Sequence, residues 1–371
     1  MEIQGSKSAL TAALASAARI AARKSTLPIL ANALISAEGE HVAVSATDLT
    51  TSVSTRCAVK VTASGSITLE ARKLHEVVRG LPDQPITIKV TDGNRAEIRC
   101  GKSRYAISGM AAGEFPRLPK VPDASVSVPG VVLAALIEHT LFSALEAMET
   151  DPSKSGCLLE ADGESLSMVS TDSHRLSLVR RKLPGAPKLA TGMLLPRSSL
   201  AEIAKLVEDL DAVSLGIGER HVFVTAGQTV IASALIQAAF PPYRQVVDPS
   251  VSGVTRSVVT DRSALLDAVQ RMNAVVNEKS KSVSMSVGEW GIRLSSDSPD
   301  GSDGSEELAG EFTGKEISVG LNARYLSEAL QHIAGNDVYI GFGATELHPV
   351  VLHSTPETDG GLLNVMMPLR R

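Results

Sequence analysis

A ten-residue pattern returns three times along this chain at a fixed interval. Leu69–Val78 reads Leu-Glu-Ala-Arg-Lys-Leu-His-Glu-Val-Val, Leu195–Ala204 reads Leu-Pro-Arg-Ser-Ser-Leu-Ala-Glu-Ile-Ala, and Leu321–Leu330 reads Leu-Asn-Ala-Arg-Tyr-Leu-Ser-Glu-Ala-Leu, so the starts lie 126 residues apart both times. Leu74, Leu200 and Leu326 hold one place, and Glu76, Glu202 and Glu328 another. Each copy follows a short apolar run, which reads as a strand feeding an amphipathic helix. The interval is too long for a solenoid unit and is the size of a domain. Other landmarks keep step. Ile86–Val90, Ala212–Gly216 and Val338–Phe342 again lie 126 apart. Thr47-Asp48, Thr171-Asp172 and Ser296-Asp297 step by 124 and 125; Phe115-Pro116, Phe240-Pro241 and Met367-Pro368 step by 125 and 127. One such match could arise by chance, but four in register define three tandem copies of one domain, over residues 1–122, 123–252 and 253–371.

The bulk numbers agree with a folded chain of that kind. With 371 residues, each copy can bury its own core, and 43% hydrophobic against 21% charged residues excludes a disordered chain. A net charge of −5 argues against a protein coated in positive charge, although nucleic-acid binding depends on where the charge lies. Cys57, Cys100 and Cys157 show no metal-ligand spacing and read as reduced thiols. Nothing calls for a cofactor. No run approaches the ~20 apolar residues of a membrane span, and the Ala-rich start lacks a signal-peptide core. The expectation is a cytoplasmic protein with no membrane partner.

Along the chain, each copy reads as two helix–strand halves, two helices and roughly eight short strands, an α+β domain with helices on one face of antiparallel sheets. The first helices are expected at Ser6–Arg23, Val131–Met148 and Asp261–Asn277, the second at Leu69–Val78 and its two repeats. A hairpin should turn on Asp92-Gly93-Asn94. Glu114–Pro129 and Phe240–Gly253 read as linkers, and Asp297–Glu307 as an acidic loop.

Several motifs invite a chemical reading. Ser170-Thr171-Asp172-Ser173-His174-Arg175 holds the residue types of a serine hydrolase, but adjacent residues at a strand end do not converge, and no Gly-x-Ser-x-Gly elbow exists. A strand end bordering a surface pocket is the better reading. Gly216-Ile217-Gly218 lacks the third glycine of a dinucleotide fingerprint. His348 and His353 lack the surrounding ligands of a metal site, and the acidic stretch does not fit a calcium loop. What remains is the charge on the helices: Lys7, Arg19, Arg23, Lys24, Arg72, Lys73, Arg79, Arg197, Lys205, Arg262, Arg271 and Arg324. Between Ile3 and Ala37 there is no acidic residue, a local reversal of sign in an acidic chain. A basic helical lining would hold a duplex by its phosphates without reading bases.

The triplicated domain resembles the bacterial DNA polymerase III beta subunit family, the sliding clamps. So do Thr26-Leu27-Pro28-Ile29-Leu30, Ala46-Thr47-Asp48-Leu49, Thr171-Asp172-Ser173-His174-Arg175-Leu176, Phe240-Pro241-Pro242-Tyr243 and the tail Val365-Met366-Met367-Pro368-Leu369-Arg370. The resemblance covers the whole chain. It implies three DNA-clamp domains that close with a second copy, head to tail, into a homodimer ring around double-stranded DNA. It implies no catalysis and no metal. Partners would be the replicative polymerase alpha subunit, a clamp loader and other proteins bearing clamp-binding peptides. The resemblance places the peptide pocket at Thr171, Ser173, His174, Arg175, Leu176, Pro241, Val246, Pro349, Val365, Met366, Met367, Pro368, Leu369 and Arg370. It places DNA contacts at Lys24, Arg72, Lys73, Arg79, Arg197 and Lys205. It sets Tyr105 and Ile107 against Ala274 and Val275 across the ring joint, with the acidic stretch near Asp300–Glu307 facing basic residues of the other copy. Departures from the family pattern are Ser173 in place of glycine, Gln245 in place of a basic residue, Lys154 in place of an apolar one, and the terminal Arg371. These allow a second reading, a clamp paralogue with a specialised role such as resistance to clamp-binding antibiotics.

Overall fold

The structure, a computed structural model, describes residues 1–146, 150–189, 191–276, 281–297, 302–355 and 361–370. The first third runs β1 (Glu2–Gly5), α1 (Lys7–Ile20), β2 (Asn32–Glu38), β3 (His41–Thr47), β4 (Thr51–Ala58), β5 (Lys60–Ala63), β6 (Gly65–Glu70), α2 (Ala71–Gly80), β7 (Ile86–Thr91), β8 (Arg95–Cys100) and β9 (Ser103–Met110). The second runs β10 (Ser125–Val128), α3 (Gly130–Leu141), β11 (Gly156–Ala161), β12 (Ser165–Thr171), β13 (Arg175–Lys182), β14 (Met193–Pro196), α4 (Arg197–Val207), β15 (Val213–Ile217), β16 (His221–Ala226), β17 (Thr229–Ala234) and α5 (Arg244–Ser252). The third runs β18 (Arg256–Asp261), α6 (Arg262–Met272), β19 (Ser282–Gly288), β20 (Gly291–Asp297), β21 (Asp303–Leu308), β22 (Glu311–Thr313), β23 (Ile317–Asn322), α7 (Ala323–His332), β24 (Asp337–Phe342), β25 (Val350–Thr355) and β26 (Leu363–Met366).

The repeated decapeptide is the strand-to-helix step into α2, α4 and α7. Its shared leucine is core in every copy: Leu74, Leu200 and Leu326 are 0%, 1% and 0% exposed. At ~25 cal/mol per Å2 of apolar surface, burying such a side chain stabilises by roughly 1.5–3 kcal/mol, enough to hold the spacing. Side-chain oxygens of Glu70 and Asn322 cap the starts of α2 and α7, and Ser6 and Asp261 cap α1 and α6. Among the described residues no helix is long and apolar enough to cross a membrane.

The chain divides into two compact units, Met1–Val131 with Ala201–Leu235, and Val132–Leu200 with Ile236–Arg371. In the first unit thirteen strands form one sheet, β10-β15-β16-β17-β4-β3-β2-β6-β9-β8-β7-β1-β5. In the second, nine form β14-β11-β12-β13-β26-β25-β24-β18-β22, and four form β21-β20-β19-β23. The division does not follow the repeat, because β17 of the second copy pairs antiparallel with β4 of the first, Ser52 opposite Ala232. Likewise β26 pairs with β13, Leu176 opposite Val365.

Some expectations are corrected. The Phe240–Gly253 stretch is no mere linker: it holds α5, with Val247 and Ser250 buried and Pro249 inside the helix. The Glu114–Pro129 stretch contributes β10 to the sheet. The helix expected to reach Met148 ends at Leu141, and the one expected to reach Asn277 ends at Met272. Met148, Asn277 and residues 298–301 of the acidic stretch lie outside the described residues. The rest of that stretch is a strand, β21, paired with β20 from Ile292↔Leu308 to Asp297↔Asp303.

Candidate functional site

The Thr171–Leu176 segment is a tight turn between β12 and β13, built by its own side chains. Asp172 Oδ1 accepts from the amides of His174 (2.9 Å) and Arg175 (3.0 Å). Thr171 Oγ1 donates to Arg175 O (2.7 Å) and accepts from Ser173 N (3.1 Å). The first copy repeats the device: Asp48 Oδ1 accepts from Thr50 N and Thr51 N (2.9 and 2.6 Å), and Thr47 Oγ1 donates to Thr51 O (3.1 Å) and accepts from Leu49 N (3.0 Å). Both turns need a left-handed residue after the Asp, Leu49 at φ 75 and Ser173 at φ 79. That conformation favours glycine, which is why a glycine suits the place of Ser173. The Thr-Asp landmark is therefore a turn-making device. Asp172 also faces the Arg175 guanidinium (3.1 Å), so its oxygens are occupied and no Asp–His relay exists.

Arg175 is 7% exposed and ties three elements together. It pairs with Asp172 and with Glu328 on α7, donates to Phe142 O (2.6 Å) just past α3, and lies 4.3 Å from the Tyr325 ring centroid. Burial pushes the Glu328 carboxyl up, but hydrogen bonds from Arg324 and Arg175 outweigh it and hold it below its usual value. Arg197 Nη1 donates to Leu141 O (2.7 Å) and Ala144 O (2.8 Å). Two guanidiniums thus cap the carboxyl end of α3, where the helix dipole favours cations.

Beside this turn lies an open cavity of ≈ 380 Å3 lined by Lys154, Thr171, Ser173, Arg175, Leu176, Pro241, Pro242, Tyr243, Gln245, Val246, Val365 and Met367. Leu176 and Val365 form part of a buried cluster with Val169, Tyr243, Val247 and Val351, while Met367 is 40% exposed. Of the residues expected at the pocket, Thr171, Ser173, Arg175, Leu176, Pro241, Val246, Val365 and Met367 line this cavity. The others lie outside its lining. His174 is exposed and stacks on Tyr325 at 6.4 Å, its carbonyl accepting from Met367 N. Met366 is buried, Pro349 and Pro368 are partly buried, Leu369 N donates to Gly320 O, and Arg370 is exposed. Pro242 and Tyr243, quoted only as part of a family motif and not expected in the pocket, also line the cavity; Tyr243 is placed by its hydroxyl, which donates to Glu160 (2.6 Å).

The unit that holds β4 and β17 builds a related groove of ≈ 330 Å3, lined by Ser52, Ala232, Leu118 and Val121 among others. Ser52 and Ala232 stand there where Leu176 and Val365 stand in the first cavity. The same strand pairing therefore puts large apolar side chains at the centre of one groove and a serine and an alanine at the matching places of the other, whose apolar lining comes from Val53, Leu118, Val121 and Val230 instead.

The basic residues fall into two kinds. Arg72 and Arg197 point their guanidiniums at helix-end carbonyls, Arg72 Nη2 donating to Ala21 O (2.6 Å). Lys73 pairs with Glu70 (3.0 Å) and Lys205 with Glu202 (2.9 Å), both at i,i+3 and exposed. Lys24 and Arg79 are exposed and have no ion pair among the described residues. α1 and α2 pack together within one unit, so Arg19, Arg23, Lys24, Lys73 and Arg79 share a neighbourhood whose charge is tempered by Glu70, Glu76 and Glu202.

Family comparison matches three descriptions in tandem: DNA polymerase III beta subunit N-terminal domain over residues 1–119, central domain over 127–242 and C-terminal domain over 252–370. A relative from Caulobacter vibrioides named Beta sliding clamp is 30% identical over 378 residues, covering 100% of both chains. This chain belongs to the DNA polymerase III beta subunit family. The DNA polymerase III subunit beta of Pseudomonas aeruginosa has the same fold, with a TM-score of 0.93 at 28% identity over 100% of both chains. The sliding clamp of that organism bound to griselimycin gives 0.92 at 28%, again over 100% of both. Three tandem clamp domains, read from the repeat, are thus the architecture of this beta-subunit chain.

Of the residues expected at a joint, Tyr105 and Ile107 lie on β9 and Ala274 and Val275 in the turn after α6, and two sheet edges nearby in sequence are open among the described residues. β9 pairs with β8 along its length but reaches β6 only through Gly109 and Met110, leaving Ser103–Ser108 unpaired on one side. β21 has β20 on one side and no strand on the other among the described residues. Tyr105 is 47% exposed on the first edge. Ile107, expected to meet the other copy, is 5% exposed, so its side chain belongs to the core of its own unit. Ala274 is exposed and Val275 half-buried, its Cγ2 only 2.8 Å from where a Cβ on Gly304 would sit. Glu306 pairs with Arg271 (2.7 Å) and Glu307 with Arg293 (2.8 Å), so the acidic strand already has partners in its own chain.

Proposed function

We propose that this chain is a sliding clamp: two copies close head to tail around duplex DNA and tether replication and repair proteins through the cavity beside Thr171–Leu176. The single observation that carries the ring is the repeat of one strand pairing. β4, β13 and β21 are equivalent: Ser52, Leu176 and Gly304 each sit opposite Thr47, Thr171 and Ser296. β9 and β17 are equivalent too, each following a two-residue turn with a left-handed glycine, Gly101 (φ 55) or Gly227 (φ 56). Within the chain β4 finds β17 and β13 finds β26, while among the described residues β21 has no strand on its second side and Ser103–Ser108 of β9 have none on theirs. An open edge of this kind is a template for another chain. The equivalence sets a register for a second copy: Gly304 opposite Ala106 of the partner subunit, and Glu306 opposite Arg104 of the partner subunit. That register brings opposite charges together, with Glu306 and Arg104 sharing or exchanging their intrachain partners Arg271 and Glu97.

The domain limits 1–122, 123–252 and 253–371 are proposed on the same repeat. The exposed cations Lys24 and Arg79, with Lys73 and Lys205, would attract phosphates, whereas Arg72 and Arg197 act first by capping helices. The chain performs no chemistry of its own in this reading; partners are the polymerase alpha subunit, a loader and other peptide-bearing proteins. Loading on nicked circular DNA with a clamp loader, followed by a salt rise and linearisation, tests it. A two-chain species should survive salt on circles and slide off linear ends, because phosphate attraction alone weakens steeply with salt. A monomer lost from both forms at moderate salt would refute the ring.

A further inference from the structure

We infer that Lys154 makes the cavity beside Thr171–Leu176 select partner peptides that carry a carboxylate next to their apolar anchors. This rests on the reading of that cavity as a peptide site. Its lining contains two cations, Lys154 and Arg175, and no carboxylate among the described residues. The two cations differ in availability. Arg175 is engaged by Asp172, Glu328, Phe142 O and the Tyr325 ring. Among the described residues Lys154 has one ion-pair partner, Asp151 at 2.7 Å, with side chains 25% and 33% exposed. An i,i+3 pair of that exposure is weak and exchangeable. Asp151 is not stranded if Lys154 turns away, because Oδ1 keeps Ser153 N (3.1 Å) and Ser153 Oγ (2.6 Å).

The backbone of Lys154 is held while its side chain is free to move. Its carbonyl accepts from Leu145 N (2.9 Å) and its amide donates to Asp151 O (3.1 Å). The ammonium therefore pivots from a fixed point at the rim of an apolar floor of Leu176, Val365 and Met367. A ligand that fills the floor excludes water there, and a charge-assisted bond at its edge gains strength. The occupant committed to is an extended segment of another protein, with aliphatic or aromatic anchors and an Asp or Glu beside them.

The probes are capped, amidated hexapeptides with the same Leu and Phe anchors, carrying Asp or Asn in turn at each flanking position. Binding is read by fluorescence anisotropy against the full-length protein. At one position Asp should bind about 3- to 10-fold tighter than Asn, a preference that shrinks with salt. Lys154→Met should abolish the preference by weakening only the Asp peptide, with folding checked by the melting curve. Asp151→Asn, which keeps the oxygen that Ser153 uses, should widen it. Equal binding of Asp and Asn peptides at every position overturns the inference and leaves the peptide site standing. Failure of every peptide to bind at millimolar concentration overturns the peptide site, and this inference with it.

Discussion

Replacing Ala106 by proline should separate the two copies while leaving each chain folded. In the hairpin of β8 and β9 the pair Cys100–Ser103 flanks a two-residue turn, so hydrogen-bonded pairs alternate from it: Ser103, Tyr105 and Ile107 direct their amides at β8. The 2.7 Å bond from Gly109 N to Asn94 O falls on the same alternation. Arg104, Ala106 and Ser108 therefore direct theirs at the open edge. Ala106→Pro removes one outward donor and no bond of the β8 ladder, and proline is tolerated on edge strands. In a closed dimer each joint loses one hydrogen bond, about 0.5–1.5 kcal/mol net. Two-fold symmetry doubles it to about 1–3 kcal/mol, roughly 5- to 150-fold in the dimer dissociation constant, before any clash of the ring with the facing strand. Sedimentation over a concentration series reads the constant, and a melting curve reads the fold. Tyr105→Pro is the contrast: it removes an inward donor and should lower the melting temperature. A dimer that tolerates Ala106→Pro with its constant unchanged would place the joint elsewhere and refute the edge pairing.

Ser173→Gly relieves a left-handed serine (φ 79) and should raise stability by roughly 0.5–1 kcal/mol, read as a higher melting temperature. Arg175→Met removes one partner of a buried network, but Glu328 keeps Arg324 (2.8 Å) and Asp172 keeps two backbone amides, so the loss should be about 2–3 kcal/mol in denaturant rather than larger. Because the folded Glu328 carboxyl lies below its unfolded value, its stabilisation is present above about pH 4.3 and fades as pH falls through the lower, folded value; Arg175→Met should flatten that part of the stability–pH curve. Replacing both Lys24 and Arg79 by Ala should reduce the salt slope of duplex binding by about 2, whereas Arg72→Ala should cost stability as well, measured by titration at several salt concentrations.

How far the sequence led depended on whether the signal was local. The decapeptide placed α2, α4 and α7 closely, because an amphipathic period and a shared buried leucine are written in consecutive residues. The Thr-Asp landmark was visible, but its meaning was not: the turn depends on a backbone angle at Leu49 and Ser173 that residue identity only hints at. α5 was hidden by Pro241, Pro242 and Pro249, which read as punctuation although the helix starts after two of them. The role of Arg175 was out of reach because its partner Glu328 is 153 residues away and another is a backbone carbonyl, which no spacing rule encodes. Ile107 misled for a related reason: it lies two residues from Tyr105 and so shares its face of β9, and only the packing of the rest of the unit, which covers Ile107 and leaves Tyr105 exposed, tells them apart.

The two strand joints inside the chain have a consequence for how a closed assembly would come apart. β4 with β17, and β13 with β26, are each backed by a covalent connection through the same polypeptide. If either pair separates, its strands remain at an effective concentration on the order of millimolar, and re-pairing is fast. A joint between β21 and β9 of another copy would have no peptide connection: with one such joint open only the ring's second joint holds the two strands near each other, and with both open reclosure would depend on the concentration of free chains. Of three such joints the one between copies would be the one without a peptide tether, and it is where dilution, a charged variant or an opening protein would act first.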